Sequence, residues 1–257
     1  MPAEPPDRNQ ARRRARQTLA ADLACNEACL ERDGTFVVEA REVAGRRQFP
    51  LRANPFVIAT MGRGVVISCG AERLAWAREH LGGCSRDELF AAPTLARIAA
   101  LLEQDRQYLA GPDLKFLCAA DSLRAIPAPD SIAIELITRE RMPEIYAQPG
   151  FDNALGYRLD SPRPDMLAAV AWRDRAPIGM AGASADNDQL WQIGVDVRPE
   201  YRGRGVGKAI VSRLTEAILA AGRVPYYSTL VSNLHSSSLA LSAGYWLGWT
   251  EIYARVR

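Results

Sequence analysis

From residue 131 onward the apolar positions of the chain switch repeatedly between two periods. Ser131 to Ile137, Met166 to Trp172, Ile178 to Ala185 and Leu190 to Val197 are short apolar runs that read as strands. Arg139 to Ala147 is a short helix interrupted at Pro143, and the turns Asp174-Arg175 and Asp186-Asn187-Asp188 separate the last three strands. Strands that follow one another across turns this short pair antiparallel. After Val197 the pattern breaks at Arg198-Pro199-Glu200. It resumes with helical spacing, Val206, Ile210, Val211, Leu214, Ile218 and Leu219 forming one stripe that Gly222 closes. Tyr226 to Val231, Leu234 to Ser242 and Tyr245 to Val256 then read as strand, helix and strand.

The first half patterns differently. Thr18 to Leu30 predicts one amphipathic helix closed near Gly34, and the arginines at 12, 13, 14 and 16 before it are a basic arm or the exposed face of that helix. Phe36 to Ala40 is a strand, and Phe56 to Thr60 with Val65 to Cys69 is a hairpin around Gly62 and Gly64. Ala71 to Leu81 and Thr94 to Tyr108 are helices, Ser85 and Glu88 have capping-box spacing, and Lys115 to Ala119 is a strand. None of these segments forms a constellation with evident chemistry. Pro127-Ala128-Pro129 stiffens the chain before the new apolar run, so the expected division is an N-terminal α/β domain over 1–127 and a second domain over 128–257.

Composition narrows the function classes. The 257 residues are 48% apolar and 24% charged, the profile of a folded protein. The net charge of +2 gives no reason to expect nucleic acid or a membrane as partner. The expected compartment is the cytoplasm, since no apolar run nears the length of a membrane span and the N-terminal stretch has no apolar signal core. Five scattered cysteines and two histidines, His80 and His235, leave no metal-ligand spacing to complete, so the thiols read as reduced core residues.

The chemistry lies at the break after Val197. Arg202-Gly203-Arg204-Gly205-Val206-Gly207-Lys208 joins a strand to a helix, and the first amides of a helix have no partner within it and carry the positive end of its dipole. A turn stripped of side chains lets a phosphate approach several of those N–H groups, and Arg202, Arg204 and Lys208 add charge. A Walker loop is excluded because Ala209 follows Lys208, and a dinucleotide fingerprint is excluded because the spacing is Gly-x-Gly-x-Gly. What remains, Arg-x-x-Gly-x-Gly between a strand and a long helix, resembles the acyl-CoA loop of the GNAT superfamily of N-acetyltransferases. The element order over about residues 130 to 257 is similar to that fold, and the whole length resembles a bacterial group with an extra N-terminal region.

The resemblance implies a mixed, mostly antiparallel α/β sheet with a splayed parallel strand pair. It also implies acetyl-CoA as co-substrate, no metal, and an amine acceptor, small molecule or peptide, acetylated by direct attack in a ternary complex. Cofactor contacts would come from the backbone of Val195 and Val197, from Arg202 through Lys208 including Val206, and from Asn233, Ser236 and Ser237. Asn233 is equally a good N-cap. The tyrosine that the family places seven residues after this asparagine, to protonate the leaving thiolate, is here Ala240. Tyr226, Tyr227, Tyr245 or water is left to replace it, a CoA thiolate needing less help to leave than an alkoxide, and Tyr245 is the candidate acid carried forward. Gln189 and Gln192 cannot act as bases while Asp188 and Asp196 can, and the candidate base is Asp196, which shares a strand face with Gln192 and Leu190; a structural carboxylate is the other reading of Asp196. A non-catalytic acyl-CoA sensor also remains open, as does the oligomeric state, a homodimer included.

Overall fold

The structure is a computed structural model that describes residues 4–48, 56–158 and 160–257. In chain order its elements are α1 (Arg8–Leu23), α2 (Ala28–Glu31), β1 (Thr35–Glu39), β2 (Phe56–Thr60), β3 (Val65–Cys69), α3 (Leu74–Leu81), α4 (Arg86–Leu89), α5 (Ala92–Glu103), β4 (Gln107–Leu117) and β5 (Ala133–Thr138). They continue as α6 (Met142–Tyr146), β6 (Asp165–Arg173), β7 (Ala176–Ala185), β8 (Leu190–Val197), α7 (Val206–Ala220), β9 (Val224–Leu230), α8 (Leu234–Ser242) and β10 (Trp246–Val256). Two compact units result, neither continuous in sequence. One comprises Met1–Ala15, Phe116–Thr229 and Asn233–Leu247, and the other Arg16–Lys115, Leu230–Ser232 and Gly248–Arg257. Pro127 to Pro129 falls inside the first.

In the first unit the strands run β9-β8-β7-β6-β5. β5 to β8 pair antiparallel, as their short turns require, and β8 pairs parallel with β9. The expected mixed, mostly antiparallel sheet with a parallel pair is what the chain forms. Each face of this sheet is built for a different neighbour. On one face α7 lies across β6, β7 and β8. Its stripe of Val206, Ile210, Val211, Leu214 and Ile218 is buried against small residues of β7, and a Cβ at Gly179 would stand 3.1 Å from Val206 Cγ1. The other face carries α6 and the following loop, whose Met142, Ile145, Phe151, Ala154 and Leu155 form a core with Ala168, Val170 and Met180. Burying side chains of this size is worth roughly 1.5–3 kcal/mol each, which fixes the loop to the sheet.

The second unit places β1 parallel to β3, β3 antiparallel to β2, and β2 antiparallel to β10, with β4 next to β10. Its apolar core gathers Phe56, Ile58, Val65 and Ile67 from the sheet with Leu81, Leu89, Ile98 and Leu102 from the helices. Behind β4 and β10 lies a buried ionic network that no sequence spacing announced. Arg47 Nη2 donates to Glu251 Oε2 at 2.9 Å, Lys115 Nζ pairs with Glu251 Oε1 and with Asp113 at 3.1 Å each, and Arg47 also pairs with Asp22 at 2.5 Å. Trp249 Nε1 donates to Glu251 at 2.9 Å and Tyr253 donates to Asp113 at 3.1 Å. Charges this far from water persist only when paired and hydrogen-bonded.

Candidate functional site

β8 and β9 pair over Leu190↔Val224 to Ile193↔Tyr227 and no further, although β8 runs on to Val197 and β9 to Leu230. The two strands therefore part at Ile193 and Tyr227, leaving the β9-facing edge of Gly194 to Val197 without a strand partner. Val195 and Val197 sit on this open stretch, where an extended ligand could pair with the strand. Val197 also packs toward α7, its Cγ2 standing 3.4 Å from where a Cβ on Gly207 would be.

The chain leaves β8 through a single 3₁₀ turn, Pro199–Tyr201, and reaches α7 through two residues in the left-handed region, Gly203 at φ +73° and Gly205 at φ +83°. The amides of Gly203 to Lys208 make no hydrogen bond to any described group. The first bond of the helix runs from Ala209 N–H to Gly205 O at 3.1 Å. Around this fan Gly203 and Gly205 carry no side chain, Val206 is buried, and Arg202, Arg204 and Lys208 are exposed. The Arg202 Nε–H holds Val197 O at 3.0 Å, tying the turn to the strand, and Arg204 lies 5.9 Å over the Tyr201 ring. Arg198, which the sequence did not single out, donates to Pro177 O at 2.7 Å and covers the Phe151 ring at 5.2 Å, fixing the strand end from which the turn departs. The third glycine has another function: a Cβ on Gly207 would meet Leu239 Cδ1 at 3.1 Å, so it admits α8 beside α7. Unbonded amides at a helix N-terminus, open above and ringed by cations, fit a pyrophosphate.

α8 begins where the sequence placed it. Asn233 is its N-cap, accepting from Ser236 N–H at 3.1 Å, so the capping role is real whatever else the side chain does. Ser236 and Ser237 occupy the first turn of α8, and the Ser237 hydroxyl lies 3.3 Å from that of Thr229 on β9. Ala240, one turn on, is fully buried.

The two candidate catalytic residues are both hydrogen-bonded within the protein. Tyr245 is interior, its hydroxyl 2.6 Å from that of Thr215 under α7. Burial, with the neighbouring Cys118 adding to it, raises its pKa well above the ordinary value. The phenol carried forward as the candidate acid is therefore packed in the core and bonded to Thr215. Asp196 is on the loop face of β8 and accepts three hydrogen bonds: from Asn153 N–H at 2.8 Å, from the Asn153 side-chain amide at 2.6 Å and from Ala154 N–H at 3.1 Å. Three of its acceptor positions hold the 151–154 loop, which is the structural role that the sequence left open beside the basic one. Asp188 is exposed in the β7–β8 turn, at the opposite end of β8 from the glycine turn.

The loop needs that anchor because it passes unusually close to the sheet. Gly182 and Gly194 are cross-strand partners, and a Cβ on them would stand 1.9 Å from Ala154 O and 1.7 Å from Asn153 O. Only paired glycines leave room for a main chain at this distance. The sequence located the loop but gave no sign of its floor. Nor did it reveal the cluster beside it, in which Tyr226 donates to Asp186 and to Gln192, the latter at 3.0 Å, while Arg163 pairs with Asp186 and donates to Gln192 at 2.7 Å. These residues are up to 63 positions apart (226 − 163) and only the strand register brings them together.

Comparison with known proteins places this geometry. Residues 132–245 match the model of the acetyltransferase (GNAT) family. Among curated proteins, the GCN5-related N-acetyltransferase 2, chloroplastic, of Arabidopsis thaliana is 44% identical over 50 residues, which are 18% of this chain and 19% of that protein's length. Among solved structures, a GCN5-related N-acetyltransferase-like protein from Streptococcus suis aligns at 20% identity over 64% of this chain and 69% of its own, with a TM-score of 0.47. A GCN5-related N-acetyltransferase from Kribbella flavida aligns at 15% identity over 61% of this chain and 62% of its own, with a TM-score of 0.46. Among the described residues, no group of three or more His, Cys, Asp or Glu could hold a metal ion and no helix is long and apolar enough to cross a membrane. The match to the GNAT acetyltransferase family model spans the splayed strands β8 and β9, the glycine turn, α7 and α8, and over residues 132–245 the chain is similar to that family.

Proposed function

We propose that the chain is an N-acetyltransferase that moves an acetyl group from acetyl-CoA to a primary amine, the two being held together in one ternary complex. The observation that carries this reading is the run of unbonded amides from Gly203 to Lys208 directly beside the unpaired edge of β8. The amide fan with Lys208 would hold the pyrophosphate, and the open edge at Val195 and Val197 would pair with the amides of the pantetheine arm, aiming the thioester at the point where the strands part. Bound acetyl-CoA supplies an activated acyl carbonyl whose leaving group is a thiolate. The protein's share is to fix that carbonyl against the amine, with Asn233, Ser236 and Ser237 bordering the arm and the Asp196-anchored loop closing the other face. The acceptor is a small-molecule or peptide amine.

One observation favours a second reading. Tyr245 and Asp196 are both occupied structurally and Ala240 stands where the resemblance would put a phenol, an arrangement that would suit a protein binding acyl-CoA without turning it over. Release of free thiol from acetyl-CoA separates the two. The full-length protein with a panel of aminosugars, polyamines, amino acids and lysine peptides should liberate thiol with at least one of them. Tight binding of acetyl-CoA with no release across the panel would favour the sensor.

A further inference from the structure

The chain is rich in arginine and all but lacks lysine. Of its 32 lysines and arginines only Lys115 and Lys208 are lysine, so two side chains offer a primary amine. The structure withdraws one of them, for Lys115 is 4% exposed and its Nζ lies 3.1 Å from both Asp113 and Glu251. Lys208 is exposed and stands in the first turn of α7, on the amide fan itself. Among the described residues no ion pair or hydrogen bond reaches its side chain, and the first turn of α7 contains no acidic residue. A cation at a helix N-terminus opposes the helix dipole, and the exposed Arg202 and Arg204 add to the uncompensated positive charge. Side chains of a helix lean toward its N-terminus, so the Lys208 amine reaches back over the turn whose amides are unbonded.

We propose that Lys208 is an acylation site, modified by an acyl phosphate that docks its phosphate on this fan, and that the modification switches cofactor binding off. This rests on the cofactor reading above. The phosphate of such a reagent is an anion of the kind that unbonded helix amides and arginines collect, and seating it there brings its carbonyl to the lysine. The Lys208 nitrogen, having given a proton to water, attacks the carbonyl carbon. The carbon–oxygen bond to phosphorus's oxygen breaks with its electron pair going to that oxygen, so an amide forms and inorganic phosphate leaves. An acylated lysine carries no charge, so the turn loses a cation while its backbone is unchanged. Arginine would supply the same charge but stays protonated and is not acylated in this way, so it is the lysine that makes the position switchable. A bound acyl-CoA occupies the same amides and shields the lysine, and cofactor and modification therefore exclude each other.

For the test, full-length protein is incubated with acetyl phosphate, with and without excess CoA, or with acetyl-CoA alone, and acetylated peptides are quantified by mass spectrometry. Lys208 should be acetylated about 10-fold faster than the lysine of an unstructured peptide in the same solution, because docking replaces chance encounter. CoA should suppress this labelling, acetyl-CoA alone should give little, and Lys115 should stay unmodified. Once the reagent is removed, calorimetry should find CoA binding weakened by about 10-fold or more, the range for losing a hydrogen bond from a charged group, while the melting temperature of the free protein does not fall. Lys208→Arg carried through the same treatment should keep the affinity it started with, which ties the loss to this residue. Labelling no faster than the peptide, no protection by CoA, acetyl-CoA labelling as fast as acetyl phosphate, or full affinity after complete acetylation overturns the proposal. A wild type that binds no CoA before treatment would instead overturn the cofactor reading on which it rests.

Discussion

The three glycines of the turn are not equivalent, and substitutions should separate them. Gly205, at φ +83°, has only Pro129 within reach of a Cβ, at 3.7 Å, so what forbids a side chain is backbone strain and the need to keep its surroundings open to the ligand. Gly205→Val should cost on the order of 1–3 kcal/mol and abolish stabilisation by acetyl-CoA, which thermal melts with and without the ligand will read. Gly207→Leu instead overpacks the contact with Leu239 and Val197. It should lower the melting temperature by a similar free energy before any ligand is added. The spacing Gly-x-Gly-x-Gly was legible in the sequence, but this division of tasks was not, because it depends on where Leu239 and Val197 fall in the fold. The ionic network of the second unit makes a residue-scale prediction in acid. Burial alone would raise the Glu251 carboxyl, but the Arg47 and Lys115 charges and the hydrogen bonds from Trp249 and Arg47 outweigh it and bring the pKa down to about 2 from its ordinary 4.5. A depressed folded pKa contributes stability that is full above about pH 4.5 and is lost as the pH falls toward 2, on the order of 3 kcal/mol in all. Glu251→Gln should flatten this limb of the melting temperature against pH; an unchanged acid limb would mean the network carries none of it.

Among the elements, those of the second half follow their apolar period closely, and the misreadings of the first half share one cause. The helix expected over Thr18 to Leu30 is two helices, with Arg8–Leu23 ending at Ala24, and the helix expected over Thr94 to Tyr108 ends at Glu103, with β4 starting at Gln107. Both breaks are made by a non-glycine residue in the left-handed region, Ala24 and Arg106, each at φ +55°. Such a turn costs energy that tertiary packing offsets, and it leaves no glycine or proline for a reader of sequence to find. The 151–154 loop shows the same limit, since its anchor and its glycine floor come from strands about 30 to 40 residues away (182 − 153 and 194 − 153). Its test is Asp196→Asn. An asparagine offers one acceptor oxygen where three N–H groups converge, so the Asn153 and Ala154 amides should lose hydrogen-exchange protection while acetyl-CoA affinity is kept. Protection that persists in the variant would show that the glycine floor alone holds the loop.

For the whole molecule, the two units interleave along the chain, so a fragment of residues 128–257 is not one of them. It would lack Met1–Ala15 and residues 116–127 of the first unit, and it would carry Gly248–Arg257 of the second without β2, to which Thr250 to Tyr253 pair. A strand left with an unpaired edge invites association, so this fragment should aggregate or melt well below the full chain. A fragment that melts like the full protein and binds acetyl-CoA equally well would show instead that the C-terminal half is self-sufficient. The central claim, that the amide fan of Gly203 to Lys208 binds the pyrophosphate of an acyl-CoA, is tested most directly by calorimetric titration of acetyl-CoA into the full-length protein and into Gly205→Val. The account predicts one-to-one binding to the wild type, weakened by at least about 100-fold in the variant, as fits loss of a charge-assisted hydrogen-bonding site worth roughly 3 kcal/mol. No binding to the wild type at millimolar acetyl-CoA, or equal binding by both proteins, would contradict it.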